Sequence, residues 1–219
     1  MEKDDNRDFL LNLSYDSSGF VVLNDYLDGA KFDIKYYSDN NFVGRQIAGY
    51  KEPLAIATIE AAETLRDINR DLISQGLCLK IFDAYRPVCA VRDFVSWAKD
   101  IDDIKMKSTF YPKIDKKDLI KLGYISPISC HSRGSTIDLT LFDLATGRDV
   151  DMGGEFDYFG ELSNSDYRGI SDEQFNNRLK LRDEMTRYGF RPLENEWWHF
   201  ELIDEPFADT CFNFLINQL

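Results

Sequence analysis

A regular alternation of side chains marks residues 137–142. Ile137, Leu139 and Leu141 fall on one side of this repeat, and Asp138 falls on the other. A period of two is typical of a β-strand with one buried face. The pattern therefore predicts a strand whose one face is apolar and whose other face carries Asp138.

Three further regions favour strands. Residues 77–82 form a short apolar run, and residues 19–37 alternate polar and apolar positions between turn signals. The last core strand is predicted over residues 196–203.

Helical patterns separate these strands. The clearest helix is predicted over residues 53–75, with Pro53 in its first turn and Gly76 as its stop signal. Others are predicted over residues 88–98, over residues 116–122, and from the Ser-x-x-Gln capping box that Ser171 opens to Gly189.

The mixture of strands and helices indicates an α+β fold with a central, largely antiparallel sheet flanked by helices. A length of 219 residues is enough for one domain with a substantial core. We predict a single domain over residues 1–219, in which the charged residues 1–8 are frayed.

Charge and composition narrow the function. The net charge of −13 argues against binding to nucleic acid or anionic membranes, because both reward clustered Lys and Arg. No apolar run approaches the ~18 residues that span a bilayer, and the acidic start is unlike a signal peptide. The four cysteines are widely spaced, which favours free thiols. We expect a cytoplasmic protein.

Only two histidines occur in the chain, and each has an acidic residue nearby. His131 precedes Asp138 by seven positions, and His199 follows Glu196 by three. A single histidine is more often a hydrogen-bonded side chain than a metal ligand. Together, however, the four residues supply three ligands and a proton-handling carboxylate, the parts of a hydrolytic zinc site. We interpret the protein as a zinc peptidase.

Both offsets are odd, whereas side chains on one face of a regular strand are separated by even offsets. A turn between His131 and Asp138 is therefore required, and Gly134 is suited to it. Glu196 is expected before or at a β-bulge, from which it reaches the metal site from the side.

A wider resemblance is carried by five segments: Asp83-Ala84-Tyr85-Arg86-Pro87, His131-Ser132-Arg133-Gly134-Ser135, Ile137-Asp138-Leu139-Thr140-Leu141, Asp151-Met152-Gly153 with Phe156-Asp157, and Glu196-Trp197-Trp198-His199-Phe200. In this order they resemble the zinc D-alanyl-D-alanine dipeptidases, which include the vancomycin-resistance enzymes. The resemblance implies the D-Ala-D-Ala peptidase, or hedgehog-like zinc peptidase, fold. It also implies hydrolysis of the dipeptide D-Ala-D-Ala to two D-alanines.

Two residues depart from the family pattern. Cys130 stands where serine or another small polar residue is expected, and Thr136 stands where alanine is expected. We expect neither residue to touch a metal ligand, although both could alter the pocket wall.

In the working hypothesis, one Zn²⁺ per chain is bound by His131, Asp138 and His199, and Glu196 takes and then delivers the water's proton.

The resemblance further assigns Arg86 to the scissile carbonyl oxygen, where a cation stabilises the oxyanion. It implies that Ser129 helps to bind the substrate's C-terminal carboxylate. Asp157 and Tyr36 would hold the free ammonium of a small dipeptide.

Three alternatives stay open. A D,D- or L,D-carboxypeptidase or endopeptidase acting on cell-wall peptides would use the same metal chemistry, and an open groove at the Asp157 loop would favour it. A non-catalytic zinc-binding module is another alternative, but it would have no need of Glu196. A cysteine hydrolase is disfavoured, because the sequence-adjacent Cys130 and His131 do not readily form a nucleophile and base pair. The oligomeric state stays open.

Overall fold

The computed structural model describes residues 12–217 and 219, so the predicted fraying of residues 1–8 lies outside the described residues. The strands are β1 (Asn12–Ser14), β2 (Phe20–Val22), β3 (Lys31–Phe32), β4 (Ile56–Thr58), β5 (Leu77–Asp83), β6 (Thr136–Asp143), β7 (Arg148–Asp149), β8 (Phe190–Leu193), β9 (Glu196–Leu202) and β10 (Thr210–Phe212). The α-helices are α1 (Leu23–Tyr26), α2 (Ile59–Ser74), α3 (Val88–Lys99), α4 (Lys107–Phe110) and α5 (Asp172–Arg187). Short 3-10 helices cover Lys35–Tyr37, Lys116–Asp118, Cys130–Arg133 and Glu161–Ser163.

The main sheet has the strand order β3-β5-β6-β9-β8, and β7 pairs with β6 at its end. Its pairings are antiparallel except for that of β3 with β5. Outside this sheet, β1 pairs with β10 in parallel and β2 pairs with β4 antiparallel. The predicted α+β fold with a largely antiparallel central sheet is confirmed, while the single domain over residues 1–219 stays a prediction.

The core lies between the main sheet and α2. Fully buried residues of β5, β6 and α2 belong to one hydrophobic cluster: Leu79, Ile81, Ile137, Leu139, Leu141, Leu65, Ile68 and Leu72. The buried Asn69 also fastens α2 to the sheet, because its Oδ1 accepts a hydrogen bond from the backbone N–H of Leu79 at 2.9 Å. This packing holds β5 and β6 rigidly beneath the candidate site.

The predicted helix over residues 53–75 begins later than expected. Pro53 lies in a bend, residues 56–58 form β4, and α2 begins at Ile59. Pairing with β2 keeps these residues extended, and the Thr58 hydroxyl then caps α2 by accepting a hydrogen bond from the N–H of Ala61. The predicted end is confirmed, since Gly76 adopts a φ of 79° directly after the helix.

The helices predicted over residues 88–98 and after Ser171 are confirmed as α3 and α5, and the capping box of α5 is present. The helix predicted over residues 116–122 is wrong in extent, because only Lys116–Asp118 is helical and it is a 3-10 turn. In the region predicted as short strands, β2 and β3 are present, but Leu23–Tyr26 between them is helical. No helix in the described part of the chain is long and apolar enough to cross a membrane.

Candidate metal centre and active site

Three buried side chains place their ligand atoms close together. The Nε2 of His131 lies 3.3 Å from the Oδ2 of Asp138 and 3.3 Å from the Nδ1 of His199, and that Nδ1 lies 3.0 Å from the Oδ1 of Asp138. Around a tetrahedral zinc with bonds of ~2.0–2.1 Å, two ligand atoms are about 3.3 Å apart. The two imidazoles contact each other, and each contacts one oxygen of Asp138, at distances close to this value, so the donor set fits a bound metal ion.

The register of the sheet places two of these ligands. Asp138 of β6 stands directly opposite His199 of β9, and side chains opposite each other across a sheet have Cβ atoms about 4.5–5.5 Å apart. On the other side of β6, Asp83 of β5 stands opposite Asp138, after a register shift at Phe82. One row across three strands thus carries Asp83, Asp138 and His199.

His131 reaches the same point from the 3-10 helix that precedes β6. Gly134 ends this helix with a φ of 87°, and its N–H donates to the carbonyl oxygen of His131 at 3.0 Å. Any Cβ at this position would collide with the ring of Phe20, so glycine is required for both its conformation and its size. The predicted turn at Gly134 is confirmed.

The protonation of His131 and Asp138 suits metal binding. The Nδ1 of His131 donates to the carbonyl oxygen of Ala84 at 2.8 Å, which leaves the lone pair on Nε2 for a metal ion. Burial opposes ionisation of Asp138, but the charges and hydrogen bonds of His131 and His199 hold its pKa well below the ordinary value. Asp138 is therefore a carboxylate at neutral pH.

Glu196 lies beside the three ligands, with its Oε2 3.6 Å from the Nδ1 of His199. The register between β8 and β9 breaks here, because Pro192 pairs with Phe200 while the next residue, Leu193, pairs with Glu196. The expected bulge is confirmed. About a third of the Glu196 side chain is exposed, yet desolvation of its carboxylate raises its pKa, an effect that the positive charge of His199 opposes and the negative charge of Asp138 increases.

Arg86 lies three residues after β5 and is held on several sides. Its Nε and Nη2 are both 2.9 Å from the Oδ2 of Asp83, and its Nη2 is 3.3 Å from the Oδ2 of Asp138. The guanidinium carbon lies 4.9 Å from the centre of the Tyr36 ring. Asp83 also accepts a hydrogen bond from the Tyr50 hydroxyl at 2.7 Å. These contacts fix a cation next to the ligand atoms.

Asp157 and Tyr36 lie together, as the hydroxyl of Tyr36 donates to the Oδ2 of Asp157 at 2.9 Å. Burial raises the pKa of Asp157 well above the ordinary value, and repulsion from Asp138 adds to this while Arg86 opposes it. Among the non-glycine residues that the structure describes, Asp157 alone has a positive φ, 61°. Such backbone strain is concentrated at functional sites.

All the predicted site residues line one cavity of about 270 Å³. They are Tyr36, Arg86, Ser129, His131, Asp138, Asp157, Glu196 and His199. Ser129 is half-buried and directly precedes the 3-10 helix that carries His131. The structure thus brings together residues that are up to 163 positions apart in the chain, while the role of each residue stays a prediction.

Comparison with known proteins shows what this chain is related to. The family model of the D-ala-D-ala dipeptidases, Peptidase M15, matches residues 16–217. The chain belongs to the D-Ala-D-Ala dipeptidase family. It is 42% identical to the D-alanyl-D-alanine dipeptidase of Enterococcus faecalis, over 91% of this chain and 99% of that protein. Identity to the D-alanyl-D-alanine dipeptidase of Enterococcus faecium is 40%, over 91% of this chain and 98% of that protein.

A solved structure was also found: a mutant of the vancomycin-resistance D,D-pentapeptidase VanY in complex with Zn(II). The matched region covers 72% of this chain and 78% of the VanY chain, with 14% sequence identity and a TM-score of 0.41. This likeness is too distant to indicate corresponding residues. The family inferred from the five sequence motifs, and with it the class of metallopeptidase, is confirmed by the family match and the curated relatives.

In this member of the D-Ala-D-Ala dipeptidase family, two residues next to a predicted ligand were missed. The Sγ of Cys130 lies 3.5 Å from the Nε2 of His199, and the Oε1 of Glu201 lies 3.6 Å from the same atom. The expectation that Cys130 touches no ligand is therefore wrong, because the 3-10 helix directs it into the cavity. Glu201 was detectable, since it lies two positions after His199 and a strand repeats every two residues.

Proposed function

We propose that this chain is a zinc-dependent dipeptidase that hydrolyses D-Ala-D-Ala to two D-alanines. In this proposal, one Zn²⁺ per chain is bound by His131, Asp138 and His199. The observation that carries it is the set of contacts at 3.0–3.3 Å between the two imidazoles and between each imidazole and one oxygen of Asp138. Two imidazoles and one carboxylate form the three-ligand set of a catalytic zinc site. The names of the curated relatives, D-alanyl-D-alanine dipeptidases, support the choice of substrate.

Zinc, when bound, would supply Lewis acidity that makes water reactive at neutral pH. Glu196 is placed to handle the protons of that reaction. Its carboxylate lies next to the ligand His199, and desolvation raises its pKa, which makes it a better proton acceptor. Glu196 takes a proton from the attacking water and delivers it to the leaving amine.

Arg86 stabilises the negative charge that develops on the scissile carbonyl oxygen. Asp83 and Asp138 hold its guanidinium in place before substrate arrives, so little reorganisation is needed when the charge forms. Because Asp83 is itself fixed by Tyr50, the position of Arg86 is set by a chain of hydrogen bonds that begins outside the cavity.

The two charged ends of the dipeptide substrate are bound by different residues of the proposed site. Asp157 and Tyr36 hold the free ammonium, and Ser129 helps to bind the carboxylate. A buried carboxyl with a raised pKa gains much from a neighbouring cation, because the cation stabilises its ionised form. The substrate's ammonium would thus favour the ionised form of Asp157.

The size of the cavity also favours a dipeptide. Pockets for drug-sized ligands have volumes of ~300–1,000 Å³, whereas this cavity has a volume of about 270 Å³. A small molecule with two charged ends matches both its volume and its side chains. A carboxypeptidase that trims long cell-wall peptides would need more room beyond Asp157.

Metal analysis together with a panel of peptides tests the proposal. We expect about one zinc per purified chain, loss of activity on chelation, and cleavage of D-Ala-D-Ala. N-acetyl-D-Ala-D-Ala and a pentapeptide ending in D-Ala-D-Ala should be rejected. Full-rate hydrolysis by metal-free protein would contradict the zinc mechanism. Efficient cleavage of the pentapeptide would instead favour the carboxypeptidase alternative while leaving the metal chemistry in place.

The dipeptide is the proposed partner, and the absence of nucleic acid and membrane partners stays a prediction from charge and composition. The cytoplasmic location also stays a prediction. All four cysteines are free in the structure, which is compatible with a reducing compartment.

A further inference from the structure

The imidazole of His199 has possible metal ligands on both of its nitrogen atoms. Its Nδ1 faces His131 and Asp138 in the centre described above. Its Nε2 faces the Sγ of Cys130 at 3.5 Å and the Oε1 of Glu201 at 3.6 Å. The ligand atoms of Cys130, His199 and Glu201 all lie within 4.8 Å of one another.

This second group has the spacing of a metal site. With bonds of ~2.3 Å to sulfur and ~2.0–2.2 Å to nitrogen and oxygen, a tetrahedral ion separates sulfur from nitrogen by about 3.6 Å and nitrogen from oxygen by about 3.4 Å. The observed distances of 3.5 and 3.6 Å agree with these values to within about 0.2 Å. A metal ion would fit here with little movement of the side chains.

The surroundings orient the donors. Arg191 binds the Oε2 of Glu201 at 2.6 Å, so that the other oxygen, Oε1, is the one that faces His199. Cys130 is half-buried and lines the cavity together with Glu201. An ion can therefore reach the three side chains from the cavity. The sulfur ligand makes the group suited to thiophilic ions such as Cd²⁺ or Zn²⁺.

We propose that Cys130, His199 and Glu201 form a second metal site for a thiophilic divalent ion, and that this ion inhibits the enzyme. The incoming ion replaces the thiol proton of Cys130 and the Nε2 proton of His199, and both protons pass to solvent. The imidazolate of His199 then connects the two sites. A serine at position 130 would supply only a hydroxyl, which is a poor ligand for soft ions, so the site depends on the cysteine of this chain.

Inhibition follows from two effects. The second ion occupies part of the cavity that the substrate needs, and it withdraws electron density from the ring of a ligand of the first metal. The inhibition of the enzyme by the second ion rests on the proposed function, whereas the binding of that ion does not. A spectroscopic test therefore separates the two.

The test adds Cd²⁺ to protein that already holds one equivalent of zinc. We expect one additional metal ion per chain by elemental analysis, a thiolate-to-cadmium charge-transfer band in the ultraviolet, and loss of dipeptidase activity over the same titration. Cys130→Ser should abolish the band and the additional ion. Cys89→Ser is the matched control, because Cys89 is half-buried but outside both groups of ligands, and it should keep both signals.

A band that persists in Cys130→Ser would overturn the proposal, as would replacement of the zinc by Cd²⁺ without any thiolate band. If Cys130→Ser fails to fold, alkylation of the wild-type protein provides the test. Cd²⁺ should then protect Cys130, but not Cys89, from iodoacetamide as measured by peptide mass spectrometry, and unprotected Cys130 refutes the site. A protein without dipeptidase activity that still shows the band would contradict the proposed function alone.

Discussion

Replacing Asp157 with asparagine removes one negative charge from the cavity and leaves the size of the side chain almost unchanged. The hydroxyl of Tyr36 can still donate to the amide oxygen, so the hydrogen bond at 2.9 Å is retained. Asp157 is only 7% exposed, and the nearby cation Arg86 is already bound by Asp83 and Asp138. The substrate's ammonium is thus the partner that Asp157 lacks.

The size of the effect follows from burial. Removing one partner of a buried, hydrogen-bonded charge pair costs about 2–5 kcal/mol. Because the bond to Tyr36 survives, we expect the lower part of this range, about 2–3.5 kcal/mol, which is about a 30–300-fold fall in kcat/KM for D-Ala-D-Ala at ~1.4 kcal/mol per tenfold change.

The acetylated dipeptide provides the comparison. With wild-type protein it leaves Asp157 buried without an ammonium partner, but with Asp157→Asn there is no charge to leave unpaired. The kcat/KM for the free dipeptide divided by that for the acetylated dipeptide should therefore be smaller in Asp157→Asn than in the wild type. Both substrates are assayed by release of D-alanine, with zinc content and thermal stability measured for each protein.

Glu155→Gln is the matched control. Glu155 lies two positions before Asp157 and its side chain is exposed, so this substitution removes the same charge outside the buried site. It should leave both values of kcat/KM close to those of the wild type. The reasoning is refuted if Asp157→Asn keeps its zinc and its fold, yet cleaves D-Ala-D-Ala and rejects the acetylated form as the wild type does.

Four other changes test the remaining roles. Glu196→Gln should retain zinc but lower kcat by ~10²–10⁴, because the amide cannot accept a proton. Arg86→Ala should lower kcat by ~10²–10³ with a smaller effect on KM, and Arg86→Lys should recover only part of this loss. His131→Ala should lose both zinc, by elemental analysis, and activity, because one of three ligands is missing. Thr58→Ala should lower the free energy of unfolding by ~0.5–2 kcal/mol in urea, because α2 loses its N-cap and the buried hydroxyl of Ser135 loses its hydrogen-bond partner.

Specific results would count against each role. Loss of zinc from Glu196→Gln would make Glu196 a ligand and would reopen the role of Asp138. An unchanged kcat with a raised KM in Arg86→Ala would place Arg86 on the bound substrate, not on the transition state. Zinc retained by His131→Ala would remove His131 from the ligand set. Thr58→Ala with unchanged stability would show that the hydroxyl of Thr58 does not stabilise the start of α2.

The sequence by itself determined the elements whose signals are local. The alternation around Asp138 predicted β6, the capping box at Ser171 predicted the start of α5, and Gly76 marked the end of α2. The turn at Gly134 was also predicted from the sequence. His131 and Asp138 are separated by an odd number of positions, so a straight strand would place their side chains on opposite faces. These features depend on neighbours within a few positions of the chain.

Most of the site was also readable from the sequence, because six of the eight residues predicted to line it lie within the five motifs, and only Tyr36 and Ser129 lie outside them. What the motifs did not show was which other side chains would lie next to them. Cys130 faces His199 from the 3-10 helix before β6, and Tyr50 fixes Asp83 from a distance of 33 positions.

Only the tertiary structure decided these neighbours, because they result from the register between strands and from the path of loops. Pairing of β2 with β4 delays the start of α2 to Ile59, although the helical pattern extends back to Pro53. Likewise, Asp138 meets His199 because β6 and β9 pair in one register, and a shift by one residue would turn either side chain to the opposite face. Register is fixed by packing across the whole sheet, so no short segment of the chain contains it.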